Sequence, residues 1–437
     1  MSQLGGWEGY RVEGWRHEWR EGRRWLVLGL RPALGEIRRC SGCDEAVAAI
    51  HDRTVRRVRD LPVFEAPVEL EVERLRLACP RCGPRLEQLD WLDAHSRVTR
   101  RLADSVARLC AATSVRHAAD WHGVDWKTAK AIDFRALERH VGPVDLDGVR
   151  RIAMDEFAIQ KGHRYATVVV DVERKRVLWV GRGRSRAEVR PFFELLGPER
   201  CARIEAVAMD MNTAYDLEVR HHCPNARVVY DLFHVIAKYG REVIGRVRVD
   251  AANQLRHDKP ARRVVKRAHW LLLRNPASLK DTEQVRLAEV LEANQALLAA
   301  YVMKAQLKAL WSATTAWGWR RAWNQWMRHA GESGIPALKH FAKCLRPYWR
   351  GILSRVRWPM HTGLVEGINN RIKVIKRMAY GYRDDAYFFL KIRAAFPGVG
   401  RRTFFLRPAQ RTGPPCGGPN ERETPGAAND RAGIFVA

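Results

Sequence analysis

Over residues 7–35 apolar and charged positions alternate, the period of half-buried strands, with WLVLGLRP at 25–32 the clearest run. From Arg97 to Glu138 the period becomes helical in three stretches, RLADSVARLC, SVRHAADWHG and DWKTAKAIDFRALER, broken at Thr113 and Gly123. The Gly, Pro and Asp of VGPVDLDG at 141–148 mark a linker. Beyond it, 151–160, 165–173 and 176–183 are β-rich runs joined by tight turns at Lys161-Gly162 and Arg174-Lys175, the pattern of an antiparallel meander. A helix near 186–196, a strand at 204–211, a helix around 213–222 and a strand through ARVVYDLFHV at 226–235 follow. Two strands separated by a helical crossover are expected to be parallel. Residues 240–357 lose the strand pattern and become long, basic and helical, with tryptophans at 311, 317, 319, 323 and 326. Residues 361–382 form one more amphipathic helix, which Gly381 can close with a left-handed cap. The Pro- and Gly-rich 408–437 reads as a disordered tail, and no internal repeat is visible.

The chain is thus a multidomain α+β protein. A β module spans 1–95, a three-helix domain 96–145, and an α/β domain 146–239 and 358–407, which an all-α insertion at 240–357 interrupts. Three antiparallel strands followed by α-β-α-β resembles the ribonuclease-H order of elements.

At 437 residues the chain holds two to four domains of about 100–200 residues each, too much for a peptide hormone or a lone binding module. Charge changes the picture more. Lys plus Arg number 77 against 49 Asp plus Glu, a net +28 that points to a polyanion, with nucleic acid the leading partner. Hydrophobic residues at 46% and charged residues at 29% place that charge on folded protein. No run of about 18 uncharged apolar residues occurs and the N-terminus lacks a signal-peptide core, so a cytoplasmic protein without membrane contact is expected. Nine cysteines, as two CxxC pairs and five singles, suit a reducing compartment with one metal site.

Those pairs, Cys40-Ser-Gly-Cys43 and Cys79-Pro-Arg-Cys82, are two thiolate knuckles separated by enough chain for a strand pair to bring them around one tetrahedral Zn²⁺. His51 and His95 are alternative ligands, but four Cys is preferred because the charged DRTVRR follows His51. Four protein ligands leave no open position, so the zinc is structural and holds a module whose core is thin.

In 98–138, Ala119, Gly123 and Val124 supply the small residue and tight turn of a helix-turn-helix. Lys127, Thr128, Lys130 and Arg135 then lie on the exposed early part of its recognition helix, where phosphate contacts set affinity and base contacts specificity.

Acidic residues form the third constellation. Phosphodiester cleavage by two divalent cations requires converging carboxylates. Asp155 interrupts an apolar strand, where a carboxylate is costly unless paired or metal-bound. Asp210 directly follows Val207-Ala208-Met209 at the strand end where αβ sheets place ligands, and Glu366 begins the late helix. Glu156, Asp171 and Asp231 are rivals. On the late helix Leu364, Ile368, Ile372 and Ile375 form one stripe, while Glu366, Asn370, Lys373 and Arg377 take the opposite face. Either its apolar side packs on the insertion and its polar side meets the sheet edge, or only its first turn reaches the metals. Lys373 and Arg377 suit DNA phosphates beside the metals; Lys376 and Arg383 fit a solvated basic face equally well.

Together the CxxC pairs with AIHDRTVRRVRDLP between them, MDEFAIQKGHRYATVVVD, AMDMNTAY, PNARVVYDLFHV and GLVEGINNRIKVIKRMAYGYRD resemble bacterial insertion-sequence transposases of the ISL-three group. These are DDE enzymes of the ribonuclease-H superfamily, and the resemblance covers roughly residues 20–400. It implies that Asp155, Asp210 and Glu366 are the catalytic triad, holding two Mg²⁺ (or Mn²⁺), and that 240–357 is the insertion such enzymes carry before the Glu. It implies as partners the terminal inverted repeats and target DNA, both double-stranded, and by analogy at least a homodimer. Asp231 and His234 match the family pattern in a supporting place, bracing the fifth strand. The tail after about residue 407 departs from that pattern. The insertion tryptophans can stack on an unpaired base, although Trp319, Trp323 and Trp326 fit core spacing better. A catalytically silent DNA-binding regulator and a ribonuclease-H-like repair nuclease are the competing functions. An intact triad speaks against the first and the large N-terminal half against the second.

Overall fold

The computed structural model describes residues 5–160, 162, 164–360 and 363–398. Lys161, the expected helix start at 361–362 and the 408–437 tail lie outside the described residues.

Five strands build the N-terminal module: β1 (Tyr10–Arg20), β2 (Arg23–Pro32), β3 (Ile50–Val63), β4 (Ala66–Cys79) and β5 (Gly83–Leu86). Their order is β1-β2-β4-β3, with β5 also on β4, and β2 runs parallel to β4 with Leu28 beside Leu70. Inward positions Leu28, Leu30, Val58, Leu70 and Val72 make its core with Trp7, Tyr10 and Trp91. Arginines and glutamates pair across strands, Arg20 with buried Glu69 at 2.8 Å and, on the exposed face, Arg16 with Glu71 at 2.7 Å. Such exposed pairs contribute little energy but hold register.

Three helices follow, Arg100–Ala112, Val115–His122 and Trp126–Val141. Each opens on a residue that caps it: Thr99, Ser114 and Asp125 accept backbone N–H groups from Leu102, His117 and Lys127. Gly123 closes the second helix at φ 60°, a left-handed turn that a residue without Cβ enters without strain. Buried Asp60 on β3 accepts from Trp7, Thr99 and Arg101, tying the β module to this helical block.

The second sheet is β6 (Arg151–Gln160), β7 (Arg164–Asp171), β8 (Arg176–Arg182), β9 (Ala206–Met209) and β10 (Arg227–Tyr230), in the order β10-β9-β6-β7-β8. β6, β7 and β8 are antiparallel neighbours, whereas β9 and β10 run parallel to β6, as the crossover argument requires. Alternation divides its two faces. Ile152 and Met154 look towards helices Arg186–Leu196 and Thr213–His222. Phe157 and Ile159 look the other way, onto Ile368, Ile372 and Ile375 of helix Gly363–Met378 and Phe388 and Ile392 of helix Asp385–Ala395, and Ala153, on the same side, meets Val365 of the first of these helices. The apolar stripe of the late helix therefore packs on the sheet, not on the helical segment before it.

One boundary differs from that expected. The apolar run ARVVYDLFHV is not one strand: β10 ends at Tyr230, and Asp231 caps a helix over Leu232–Tyr239 by accepting from Phe233 N–H at 2.9 Å. Asp caps compete well with continued pairing, and the parallel partner β9 also ends here. The late helix closes as expected at Gly381, which lies at φ 100° and donates its N–H to the Lys376 carbonyl at 2.9 Å, with Tyr380 before it also at positive φ, 54°.

Leu232–Tyr239 continues through a π turn at Gly240–Ile244 into Gly245–Gln254, and every described element from there to Ser354 is helical. Trp319, Trp323 and Trp326 are buried there, the first two stacked at 5.0 Å, and Trp326 Nε1 donates to the Met303 carbonyl at 2.9 Å. They are core, so they offer no platform to a base. Helix Trp349–Ser354 closes on β10 so tightly that a Cβ at Gly351 would lie 2.3 Å from the Tyr230 ring.

Helix Asp385–Ala395 touches both β8 and the third helix of the N-terminal block. Buried Asp133 of that third helix accepts from the Tyr387 hydroxyl and pairs with Lys391 Nζ at 2.8 Å. The same ammonium donates to the Cys110 carbonyl at 2.8 Å.

Candidate active site and metal centre

β3 and β4 are fourteen residues each and antiparallel, which returns the chain from the first cysteine knuckle to the second. The Sγ atoms of Cys40, Cys43, Cys79 and Cys82 lie within 4.8 Å of one another. Tetrahedral Zn²⁺ with bonds near 2.3 Å places its sulfurs about 3.8 Å apart, and the Cys43–Cys79 separation is 3.6 Å. Backbone N–H groups of Gly42 and Cys82 point at the Cys40 and Cys79 sulfurs at 3.4 Å. The Gly42 contact, aided by the Cys43 backbone and opposed by burial, draws the Cys40 thiol down to about 7, while burial and the neighbouring sulfurs push Cys43 and Cys82 up, a mutual load that a bound cation relieves. His51 instead pairs with Asp52 at 2.8 Å, and neither it nor His95 joins the cluster. The donor set fits a structural zinc.

The acidic residues converge by register. β6 and β9 pair up to Ala153 beside Ala208, and β9 and β10 pair up to Met209 beside Tyr230. Two residues beyond Ala153 is Asp155, two beyond Ala208 is Asp210, and two beyond Val229 is Asp231. Even spacing keeps each on the face that the late helix covers. Val365 of that helix packs among Ala153, Ala208 and Val229, which sets Glu366 over the same strand ends. Asp155, Asp210, Asp231, His234, Glu366, Asn370 and Lys373 line one cavity of about 300 Å³.

Two of these carboxylates are under electrostatic load. Burial, reinforced by Asp210 and Asp231, pushes Asp155 up to about 6 against the pull of His234. Burial and Glu156 also raise Asp210, with His234 again opposing. Asp155 accepts from Glu156 N–H at 2.8 Å and, on its other oxygen, from Asn369 Nδ2 at 2.6 Å. Asp210 accepts from Asn212 N–H at 3.1 Å, while Glu366 is exposed. Half-buried carboxylates facing one another with raised proton affinity are a donor set that hard divalent cations complete.

Of the rivals only Asp171 lies apart, since Glu156 and Asp231 also line this cavity. Glu156 takes both its oxygens to Arg184, at 2.9 and 3.0 Å. Asp171 is buried, accepts from the Glu173 and Arg174 backbones and pairs with Arg176, a turn-stabilising role. His234 Nε2 is 3.7 Å from Asp231.

Among the expected DNA-contacting residues, Lys127, Thr128 and Arg135 are exposed on the third helix of the N-terminal block. Lys130 is not free: its Nζ pairs with Asp384 at 2.7 Å. Asn370 accepts from Lys373 Nζ at 3.3 Å, and Arg377 is exposed beyond the cavity. Asn369, which the sequence reading passed over for Asn370, touches the candidate site most directly. Its place on the buried stripe beside Ile368 and Ile372 was the available signal, since a buried amide demands a partner.

Comparison with known proteins agrees with this geometry. A family model described as "Transposase", of the DDE ISL3 type, matches residues 152–392. The helix-turn-helix domain of transposase family ISL3 matches 87–135, and the zinc-finger of transposase IS204/IS1001/IS1096/IS1165 matches 37–82. The chain belongs to the ISL3 family of transposases. It is 54% identical over 404 residues to the transposase for insertion sequence element IS1001 of Bordetella parapertussis, covering 92% of this chain and 98% of that one. It is 29% identical over 387 residues to the transposase for insertion sequence element IS1557 of Mycobacterium tuberculosis, covering 82% and 86%. The family implies DNA binding, cleavage and transfer. No helix among the described residues is long and apolar enough to cross a membrane.

Proposed function

We propose that this chain is the transposase of its own insertion sequence, binding the terminal inverted repeats and cutting and joining DNA strands at Asp155, Asp210 and Glu366. The observation that carries the reading is their meeting in one cavity with Lys373, although they come from three distant stretches of chain. Two Mg²⁺ or Mn²⁺ ions, when bound, would activate the attacking oxygen and stabilise the leaving one. The protein's share is positional. Asp155 and Asp210 are held by backbone N–H groups, Asn369 fixes the second oxygen of Asp155, and Glu366 stands over the strand ends from the helix. Asp231 caps its helix and lies 3.7 Å from His234, which opposes the rise in proton affinity of Asp155 and Asp210.

Lys127, Thr128 and Arg135 are assigned to the DNA ends, and Lys373 and Arg377 to phosphates beside the carboxylates. The strand order supports a ribonuclease-H-like catalytic domain at 146–239 and 358–407, interrupted by an all-α insertion at 240–357. The zinc module at 1–95 and helix-turn-helix at 96–145 complete the division, and pairing two element ends requires at least a dimer on DNA. Nothing observed favours a silent regulator. The test is nicking of labelled element ends with Mg²⁺ or Mn²⁺, comparing wild type with Glu366→Gln. Metal-dependent cutting at the boundary, lost in the variant, is expected; binding without cutting by folded, zinc-loaded wild type refutes the reading.

A further inference from the structure

A second cavity, of about 400 Å³, opens beside the carboxylates and shares Asp231 and Phe233 with them. Its walls are apolar, formed by Phe233 and Ile236 on one side and Leu273, Pro276 and Tyr301 on the other. Two of the three cations on its rim are already engaged. Lys304 donates to the Leu272 and Leu273 carbonyls, and Arg274 pairs with Glu283 at 2.9 Å, which leaves Lys308 exposed. Phe233 is the unusual member. Val235 and Tyr239 of its own helix are fully buried, yet Phe233 is 63% exposed at the junction of the two cavities. Its ring neighbour is His234, edge-on at 5.7 Å.

An aromatic face, an apolar slot and a cationic rim beside a phosphodiester site are complementary to a planar heterocycle carried on a phosphate chain. Cavities of a few hundred Å³ hold such ligands, and an aromatic platform accepts any base because every base has a π face. We propose that this cavity takes one unstacked nucleobase of the DNA strand whose phosphate lies at the carboxylates, stacked on Phe233, with Lys308 on a neighbouring phosphate. The proposal rests on the strand-cutting function above, because a phosphodiester at Asp155 and Asp210 is what brings a base to Phe233. Holding the base outside the duplex fixes the adjacent phosphate and removes the stacking that would resist its bending into the site.

The test uses full-length, zinc-loaded protein and element-end duplexes without added Mg²⁺ or Mn²⁺. Phe233→Ala, Phe233→Trp and wild type are compared on intact ends and on ends carrying a single abasic nucleotide at each position around the cut. Phe233→Ala is expected to weaken binding of intact ends about fivefold to a hundredfold and to have no effect once one particular nucleotide is abasic. Phe233→Trp retains binding, and 2-aminopurine at that position changes its emission on binding wild type. Equal loss on intact and abasic ends at every position, or no loss at all, overturns the pocket. Nicking is measured in parallel with Mn²⁺. A positive cycle without nicking refutes the cutting reading while the pocket stands, and nicking with a null cycle refutes the pocket alone.

Discussion

The cysteine centre and the carboxylate cavity differ in how closely they gather their ligand atoms. Around Cys40 and Cys79 four sulfurs are packed within 4.8 Å, backbone N–H groups already face two of them, and the neighbours are Val47, Leu75 and Leu77. Little movement separates that cluster from its metal-bound geometry. Asp155, Asp210 and Glu366 instead share a cavity without closing into a compact cluster, and two of them are raised by burial and by acidic neighbours. A centre that holds a structural ion closes around it; one that, on the proposed function, admits a phosphate and cations stays open.

The largest expected effect is chemical. Asp210→Ala should lower strand cleavage by a factor of at least about a thousand while leaving end binding unchanged, because residues acting as a unit fail together. Nicking and mobility-shift assays check both halves, and wild-type cutting by the variant removes Asp210 from the site.

Cys79→Ser breaks the other centre. Its zinc should be lost, and with it most of a contribution on the order of 10 kcal/mol to the module's folding. Metal analysis and end-DNA affinity read this out, and unchanged zinc content contradicts it.

The load on Asp155 predicts a pH signature. Its proton affinity is raised in the folded state, so its contribution to stability is fully present below the ordinary carboxylate value near 4 and is lost as pH rises through about 6. In metal-free protein, Asp155→Asn should therefore be stabilising at pH 7, by up to about 2 kcal/mol after allowing for partial exposure, and neutral below about pH 4. Denaturant titrations at several pH values test this, and a pH-independent difference counts against the load.

Two lysines sharpen the contrast on the smallest scale. Exposed Lys127→Ala should weaken binding to all DNA sequences and lower the salt slope by about one. Lys130→Ala should leave that slope alone and cost no more than about 1 kcal/mol, because its partner is Asp384. A shift of the salt slope in Lys130→Ala would return it to the DNA-contacting set.

Much of this was legible in the chain. The meander β6–β7–β8 announced itself through alternation and tight turns, the cysteines through spacing, and the turn of the three-helix block through Gly123. The switch at Asp231 was hidden because apolar residues on both sides suit a strand and a helix equally. The parallel pairing of β2 with β4 depends on which strands share a core, which local pattern does not encode. The engagement of Lys130 and the contact between Asn369 and Asp155 join residues more than 200 positions apart. The apolar stripe of the late helix was read correctly, but what it packs on followed only from the parity of Ala153, Phe157 and Ile159.

The buried contact of Asp133 with Tyr387 and Lys391 acts on length. It fastens the helix that carries Lys127 and Thr128 to the helix lying on β8. A reader so fastened has no independent swivel. On the proposed function, the number of base pairs between the recognised sequence and the cut phosphate is then set by the protein as a fixed ruler, and an insertion of a few base pairs between them moves the cut rather than stretching the enzyme.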